Sequence, residues 1–219
     1  YIVTDVTAGR SGNDERIAFM FDTSKVRFGN VAGEIVLPDK SKPVKQFARS
    51  PFMVTFQSGW LRLNLCSVHI YYGTASNLTR RVKEIEDLSV FLGDRAEADR
   101  ENYILLGDFN ITGKTNKTMK ALLKGGFNIP PKLMDYEKGS NLAQDKFYDQ
   151  IAYKNTFNSI RFTGKAGVFN YFKYVFSEKD MDFYLEDYNI LMRANGKPVL
   201  KKMTEKAYKE WKTFQMSDH

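Results

Sequence analysis

The tetrapeptide Gly107-Asp108-Phe109-Asn110 follows an unbroken apolar run, Tyr103-Ile104-Leu105-Leu106. A short apolar run that stops at a glycine reads as a buried strand ending in a turn. Asp108 and Asn110 are two apart, so on a backbone that stays extended past Gly107 they face the same way. A carboxylate and a carboxamide at the carboxyl end of a buried strand can hold a metal, a water or a phosphate oxygen. That edge is where open α/β sheets place their ligands. The competing reading is an Asp-Asn turn that only closes the strand.

Histidine is scarce, with two in 219 residues. His69 sits near the end of Trp60–Ile70, in Ser67-Val68-His69-Ile70, and His219 closes the chain in Ser217-Asp218-His219. A histidine beside a carboxylate suits proton transfer near neutral pH. A lone strand histidine is more often a hydrogen-bonded core residue. Cys66 is the only cysteine, which excludes an internal disulfide and a cysteine-based zinc site.

The length suffices for one domain with a sizeable core, and 17 Phe and 12 Tyr exclude a disordered chain. No apolar run is long enough to span a bilayer. The formal net charge of +7 suits a polyanion such as nucleic acid, or an anionic membrane surface, but also a plain basic protein. The lysines are scattered rather than blocked, which weakens the charge argument. The chain begins at Tyr1, so localisation stays open, as does the oligomeric state.

Elements must hold these residues in place. Tyr1–Thr7 alternates as a strand. Arg16–Asp22 and Lys25–Phe28, on either side of a turn at Asp22–Ser24, predict a hairpin. Glu34–Leu37 is a further short strand. Gly9–Asn13 and Asp39–Lys45 are loops. Pro51–Gln57 and Trp60–Ile70, joined at Ser58-Gly59, predict a second hairpin. Ser76 is expected to cap a helix whose Leu78, Val82, Ile85, Leu88 and Leu92 recur every three or four residues. Its charges, Arg80, Arg81, Lys83, Glu84 and Glu86, are expected on a solvated face, and Gly93 is expected to end or weaken it. Asp94–Asn102 then leads into the Tyr103 strand. Strand, helix, strand makes a crossover with the tetrapeptide at its exit. Thr115–Lys124 predicts a short helix stopped by Gly125-Gly126, and Phe147–Tyr153 a strand containing Asp149. Beyond it, short helices are expected over Phe169–Phe176, Met181–Tyr188 and Thr204–Phe214.

Taken together, the motifs resemble the endonuclease/exonuclease/phosphatase superfamily, the metal-dependent phosphoesterases related to pancreatic-type deoxyribonuclease. Asn13-Asp14-Glu15-Arg16 running into Ile17–Phe21, Arg49-Ser50-Pro51, Val68-His69, Gly107-Asp108-Phe109-Asn110, Tyr148-Asp149-Gln150-Ile151 and Ser217-Asp218-His219 stand in the family's order. Each is weak alone; six in order are specific. Gln150 stands where the family commonly has Arg. The family's opening strands, with an Asn and a metal-binding Glu in a Gln-Glu motif, have no counterpart here, nor does the strand after the closing Ser-Asp-His.

The resemblance implies an α/β fold, a four-layer sandwich of two mixed β-sheets flanked by helices. It implies one domain over residues 1–219, incomplete at both ends, with a helical insertion at 155–212. It further implies a divalent-metal-dependent phosphoesterase, foremost a nuclease acting on DNA or RNA. The alternatives are a phosphatase or a phospholipid or inositol phosphodiesterase, acting on a small phosphoester or lipid head group, and a catalytically incompetent binding domain. Two pairs, Glu15 with His69 and Asp149 with His219, would move protons. Asp108 and Asn110 would orient the nucleophile or a phosphate oxygen. Asp218 with Asp108 would hold Mg²⁺ (or Mn²⁺/Ca²⁺), and Arg49 would clamp a phosphate or else be a solvated loop residue. Asp182 rivals Asp149 for its role.

Overall fold

A computed structural model describes residues 1–6, 15–38, 46–74, 78–156 and 158–215. Strands β1 (Ile2–Val3) and β2 (Ala18–Phe19) pair antiparallel as a small sheet. The main sheet holds five strands in chain order: β3 (Arg27–Glu34), β4 (Phe52–Ser58), β5 (Leu61–His69), β6 (Asn102–Asp108) and β7 (Asp149–Lys154). It is mixed, because β5 and β6 run parallel while the other neighbours are antiparallel. Between β5 and β6 lies α1 (Leu78–Asp99), which supplies the crossover that a parallel pair requires. Two short helices, α2 (Lys117–Leu123) and α3 (Pro131–Asp135), lie between β6 and β7.

Alternation along the strands assigns the two faces. Cys66 and Val68 of β5, Tyr103 and Leu105 of β6 and Ala152 of β7 face Ile85, Leu88 and Leu92 of α1 and Met119 and Leu122 of α2. The opposite face carries Val54, Phe56 and Leu65, packed under Phe19, Ile2 and Ile17 from the small sheet and its flanks. At about 1.5–3 kcal/mol for each fully buried aliphatic or aromatic side chain, the helix-covered face is the main source of stability. The expected α/β architecture, two sheets flanked by helices, is the one the chain adopts.

Three local expectations are corrected. Arg16–Asp22 and Lys25–Phe28 do not form a hairpin with each other. β2 pairs with β1 and β3 with β4, so the chain changes sheets at the turn after Asp22. The turn is held by the Asp22 carboxylate, which accepts the backbone N–H and the hydroxyl of Ser24. Gly93 does not end α1, which continues to Asp99. A Cβ on Gly93 would stand 2.0 Å from the carbonyl oxygen of Gly125, and one on Gly125 would stand 1.9 Å from that of Ser89. Gly93 therefore lets the turn after α2 lie directly on α1. Third, Phe169–Phe176 is mostly irregular, with one 3-10 turn at Tyr171–Lys173.

A second 3-10 segment (Glu178–Tyr184) leads into α4 (Leu185–Ala194), and α5 (Glu205–Lys212) follows. These gather around Met203, Tyr208 and Trp211, a cluster distinct from the sheet's core. The cap expected at Ser76, the loops expected at Gly9–Asn13 and Asp39–Lys45, and the closing Ser217-Asp218-His219 lie outside the described residues.

Candidate active site

His69 is the last residue of β5, Asp108 the last of β6 and Asp149 the first of β7. The register sets them side by side, His69 opposite Asp108 and Asp108 opposite Asp149. Alternation puts all three on the face turned toward the small sheet, since Leu65 is in phase with His69 and Ile151 with Asp149. The row thus forms at the mouth between the two sheets.

Glu15, just ahead of β2, reaches into this row. Its Oε2 lies 2.5 Å from His69 Nδ1, and its Oε1 lies 3.3 Å from an Arg49 guanidinium nitrogen. On the other side of the ring, His69 Nε2 lies 3.2 Å from Asp108 Oδ2. A carboxylate only accepts hydrogen bonds, so the Glu15 contact places a hydrogen on Nδ1. Nε2 is then the nitrogen that exchanges protons. The order Arg49, Glu15, His69, Asp108 is a continuous polar chain. The Arg49 side chain is 14% exposed and so is not a solvated loop residue.

Asn110 departs from the geometry expected of it. β6 ends at Asp108, and Asn110 has φ +53°, so the extended alternation does not persist. Its Nδ2 donates to the Ile70 carbonyl at 2.6 Å, and its backbone N–H donates to Asp108 Oδ1 at 2.7 Å. Asn110 therefore fixes the Asp108 carboxylate through its backbone and ties the exits of β5 and β6 together. Gly107 makes this corner possible: its φ is +124°, and a Cβ there would stand 2.3 Å from the Val68 carbonyl oxygen.

Two charges on α1 that the sequence assigns to solvent are buried behind the row. Arg81 is 5% exposed and Glu84 6%. Arg81 donates to the Asn110 carbonyl at 2.9 Å and to the Tyr72 carbonyl, with its guanidinium 4.5 Å from the Tyr72 ring centroid. Glu84 accepts the Ala48 backbone N–H at 3.2 Å, beside Arg49. Burial lowers the Arg81 pKa and raises that of Glu84. A spacing signal was present, because Arg81, Ile85, Leu88 and Leu92 step by four, three and four along the apolar stripe. Tyr148, packed edge-on against Tyr72 with centroids 6.0 Å apart, is pushed up to about 12 by burial, its bond to Tyr72 and the nearby charges.

Asp149 is exposed, and its backbone N–H donates to the Ser140 hydroxyl at 3.0 Å. Its expected partner His219, and Asp218, lie outside the described residues. Asp182 belongs to the 3-10 segment of the helical cluster, whereas Asp149 shares the sheet row with Asp108. Among the described residues no three His, Cys, Asp or Glu side chains form a metal-binding group. Asp108 is already engaged by His69 and the Asn110 N–H. Asp108 keeps further lone pairs for a cation, whose other protein ligands would come from outside the described residues.

No protein-family profile matches the chain, and no curated protein does. Solved structures do. A conserved protein of unknown function from Enterococcus faecalis is 18% identical, with a TM-score of 0.50, over 69% of this chain and 65% of its own. A mannosyl-6-phosphatase from Bacteroides thetaiotaomicron is 15% identical, with a TM-score of 0.48, over 69% and 62%. An endonuclease/exonuclease/phosphatase family protein from the same organism is 14% identical, with a TM-score of 0.46, over 69% and 61%. The chain thus spans less than two thirds of these structures, and at such identities the likeness is one of fold. The chain shares the α/β fold of the Enterococcus faecalis protein, and its six motifs, three of them set side by side at one edge of the mixed sheet, resemble those of the endonuclease/exonuclease/phosphatase superfamily.

Proposed function

We propose that this domain hydrolyses phosphodiester bonds of nucleic acid, with His69 as a proton-transfer group. The observation that carries the reading is His69 held between Glu15 and Asp108 at the mouth between the sheets. Glu15 holds the ring and its tautomer, and Arg49 holds Glu15. Nε2 then gives a proton to the leaving oxygen or takes one from the attacking water. Asp108, fixed by the Asn110 N–H, positions the partner of that proton. Asp149, with His219, is the proposed second pair. A requirement for Mg²⁺ is part of the proposal; when bound, the ion supplies charge neutralisation at the phosphoryl oxygens. Asp108 and Asp218 are its proposed ligands, and no step above is routed through it. The net charge of +7 supports a polyanionic substrate over a neutral one.

The test is turnover of plasmid DNA, RNA, inositol phosphates and sphingomyelin side by side, with Mg²⁺ and with EDTA. Cleavage of DNA or RNA that EDTA abolishes is expected. Turnover confined to inositol phosphates or sphingomyelin would replace the nuclease reading with a phosphatase or lipid phosphodiesterase. Undiminished turnover in EDTA would remove the metal requirement, and no turnover at all would favour a binding domain.

A further inference from the structure

We infer that the cavity beside Asp149 is a base-stacking subsite, which takes the heterocyclic base of a nucleotide next to the phosphodiester being cleaved. The inference rests on the nucleic-acid reading above. The cavity, about 370 Å³, falls in the range of ligand pockets. Gly107 and Asp149 are among its lining residues, so it lies beside the His69–Asp108–Asp149 row. Leu106 and Ile151, paired across β6 and β7, line it from the face that carries that row. Phe169 and Phe172 give it an aromatic wall.

The aromatic wall is built rather than loose. The Asn170 side chain accepts the Phe172 N–H at 3.1 Å, and Tyr174 N–H donates to the Tyr171 carbonyl at 2.8 Å. Yet Phe169 and Tyr174 are 74% and 73% exposed, with parallel rings, 9° between planes and 5.4 Å between centroids. Two ordered, stacked rings left in water offer an apolar face without burying it in this chain.

The wall's chemistry selects the occupant. Flat aromatic and aliphatic surfaces match the two apolar faces of a base, which stacks on aromatic rings with little dependence on its identity. Polar atoms at the rim match a base's polar edge. Among the described residues, the Gln144 amide and Asn170 Nδ2 make no hydrogen bond. A sugar carries hydroxyls all round its ring and would leave them unpaired against Leu106, Ile151 and Phe172. An acyl chain would strand the Gln144 and Asn170 amides beneath it. Lys173 follows the lining residue Phe172 in the chain, a cation next to the cavity for a neighbouring phosphate.

The experiment measures binding in EDTA, so that nothing is cleaved. Two fluorescent single-stranded oligonucleotides of equal length and charge serve as probes, one of thymidines and one fully abasic. The protein should bind the thymidine strand about tenfold more tightly. Phe169→Ala should remove most of that preference and leave abasic affinity unchanged, while Phe169→Trp should keep it. Phe169 is exposed, so its truncation does not threaten the fold. Equal affinity for both strands, or a preference that survives Phe169→Ala, would overturn the subsite. Because binding is read without turnover, a failure of the hydrolase reading appears only in the substrate panel, and a failure of the subsite only here.

Discussion

At the scale of single residues, the proposed chemistry depends on His69 and on what holds it. His69→Ala should lower kcat by about 10²–10⁴ on whichever substrate the panel identifies. Glu15→Gln keeps an acceptor for Nδ1 but not the charge, and its loss should be smaller; a variant of either residue with full kcat would remove the pair from the mechanism. Arg81 acts through another residue, since it binds the Asn110 carbonyl while the Asn110 N–H fixes Asp108. Arg81→Met should cost about 2–3 kcal/mol in urea unfolding, the scale of a buried charge-assisted hydrogen bond. It should also lower kcat more than it raises KM, with partial rescue by Arg81→Lys; loss of stability with kcat unchanged would make Arg81 a packing residue only. Glu84 gives a pH signature. Its folded pKa is raised above the ordinary 4.5, chiefly by burial, so the folded state binds more protons than the unfolded one across that window. Stability therefore falls as pH rises from 4.5 through the folded value. Glu84→Gln removes that fall, so wild type should lose ground to the variant between pH 4 and pH 7; a difference constant with pH would contradict this. Asp108 and His69 were legible because the residues before them mark strand ends. Arg81 and Glu84 were not, because a charge on a helix is assigned to solvent by default, even when its spacing places it on the apolar stripe.

At the scale of elements, what was legible is what periodicity encodes. The β4–β5 hairpin, the α1 crossover and β6 follow from alternation, three-to-four spacing and an apolar run. The roles of the glycines do not, because a close approach leaves no trace in one sequence. Gly93 reads as a helix breaker, yet it lies inside α1 against the Gly125 backbone. The two readings predict opposite signs for Gly93→Ala. In an exposed helix the change would stabilise by about 1 kcal/mol through helix propensity. Against a carbonyl oxygen 2.0 Å away it forces backbone apart and should destabilise by about 1–3 kcal/mol. The urea midpoint decides, and a higher midpoint in the variant would show that α1 and the turn are not in contact. The misread hairpin at Asp22 has a similar cause, since a tight turn between two strand-like runs does not say which sheet each run joins.

At the scale of the whole molecule, the described chain holds three apolar clusters of unequal size, one on each face of the main sheet and one among the helices after residue 170. The helix-covered face of the main sheet gathers twenty buried apolar residues, whereas the helical cluster after residue 170 gathers three, Met203, Tyr208 and Trp211. Its remaining apolar members, Phe176, Met181, Tyr184, Leu185, Tyr188, Leu200 and Ala207, are only partly buried. Stability follows apolar area removed from water, so the cluster should open at lower free energy than the sheet. The two tryptophans make this measurable. Trp60 is fully exposed in the β4–β5 turn and reports little, whereas Trp211 is 7% exposed inside the cluster. Trp211 packs against the Phe176, Tyr184 and Tyr208 rings at 5.2–5.9 Å between centroids, so tryptophan fluorescence follows the cluster. In urea the fluorescence transition should precede the loss of amide-exchange protection in β4, β5 and β6. Met203→Ala, a buried truncation that spares the reporter, should move the fluorescence transition by about 2–5 kcal/mol and leave the protection of the sheet where it was. Coincident transitions in wild type, moved together by Met203→Ala, would mean that the cluster and the sheet fold as one cooperative unit.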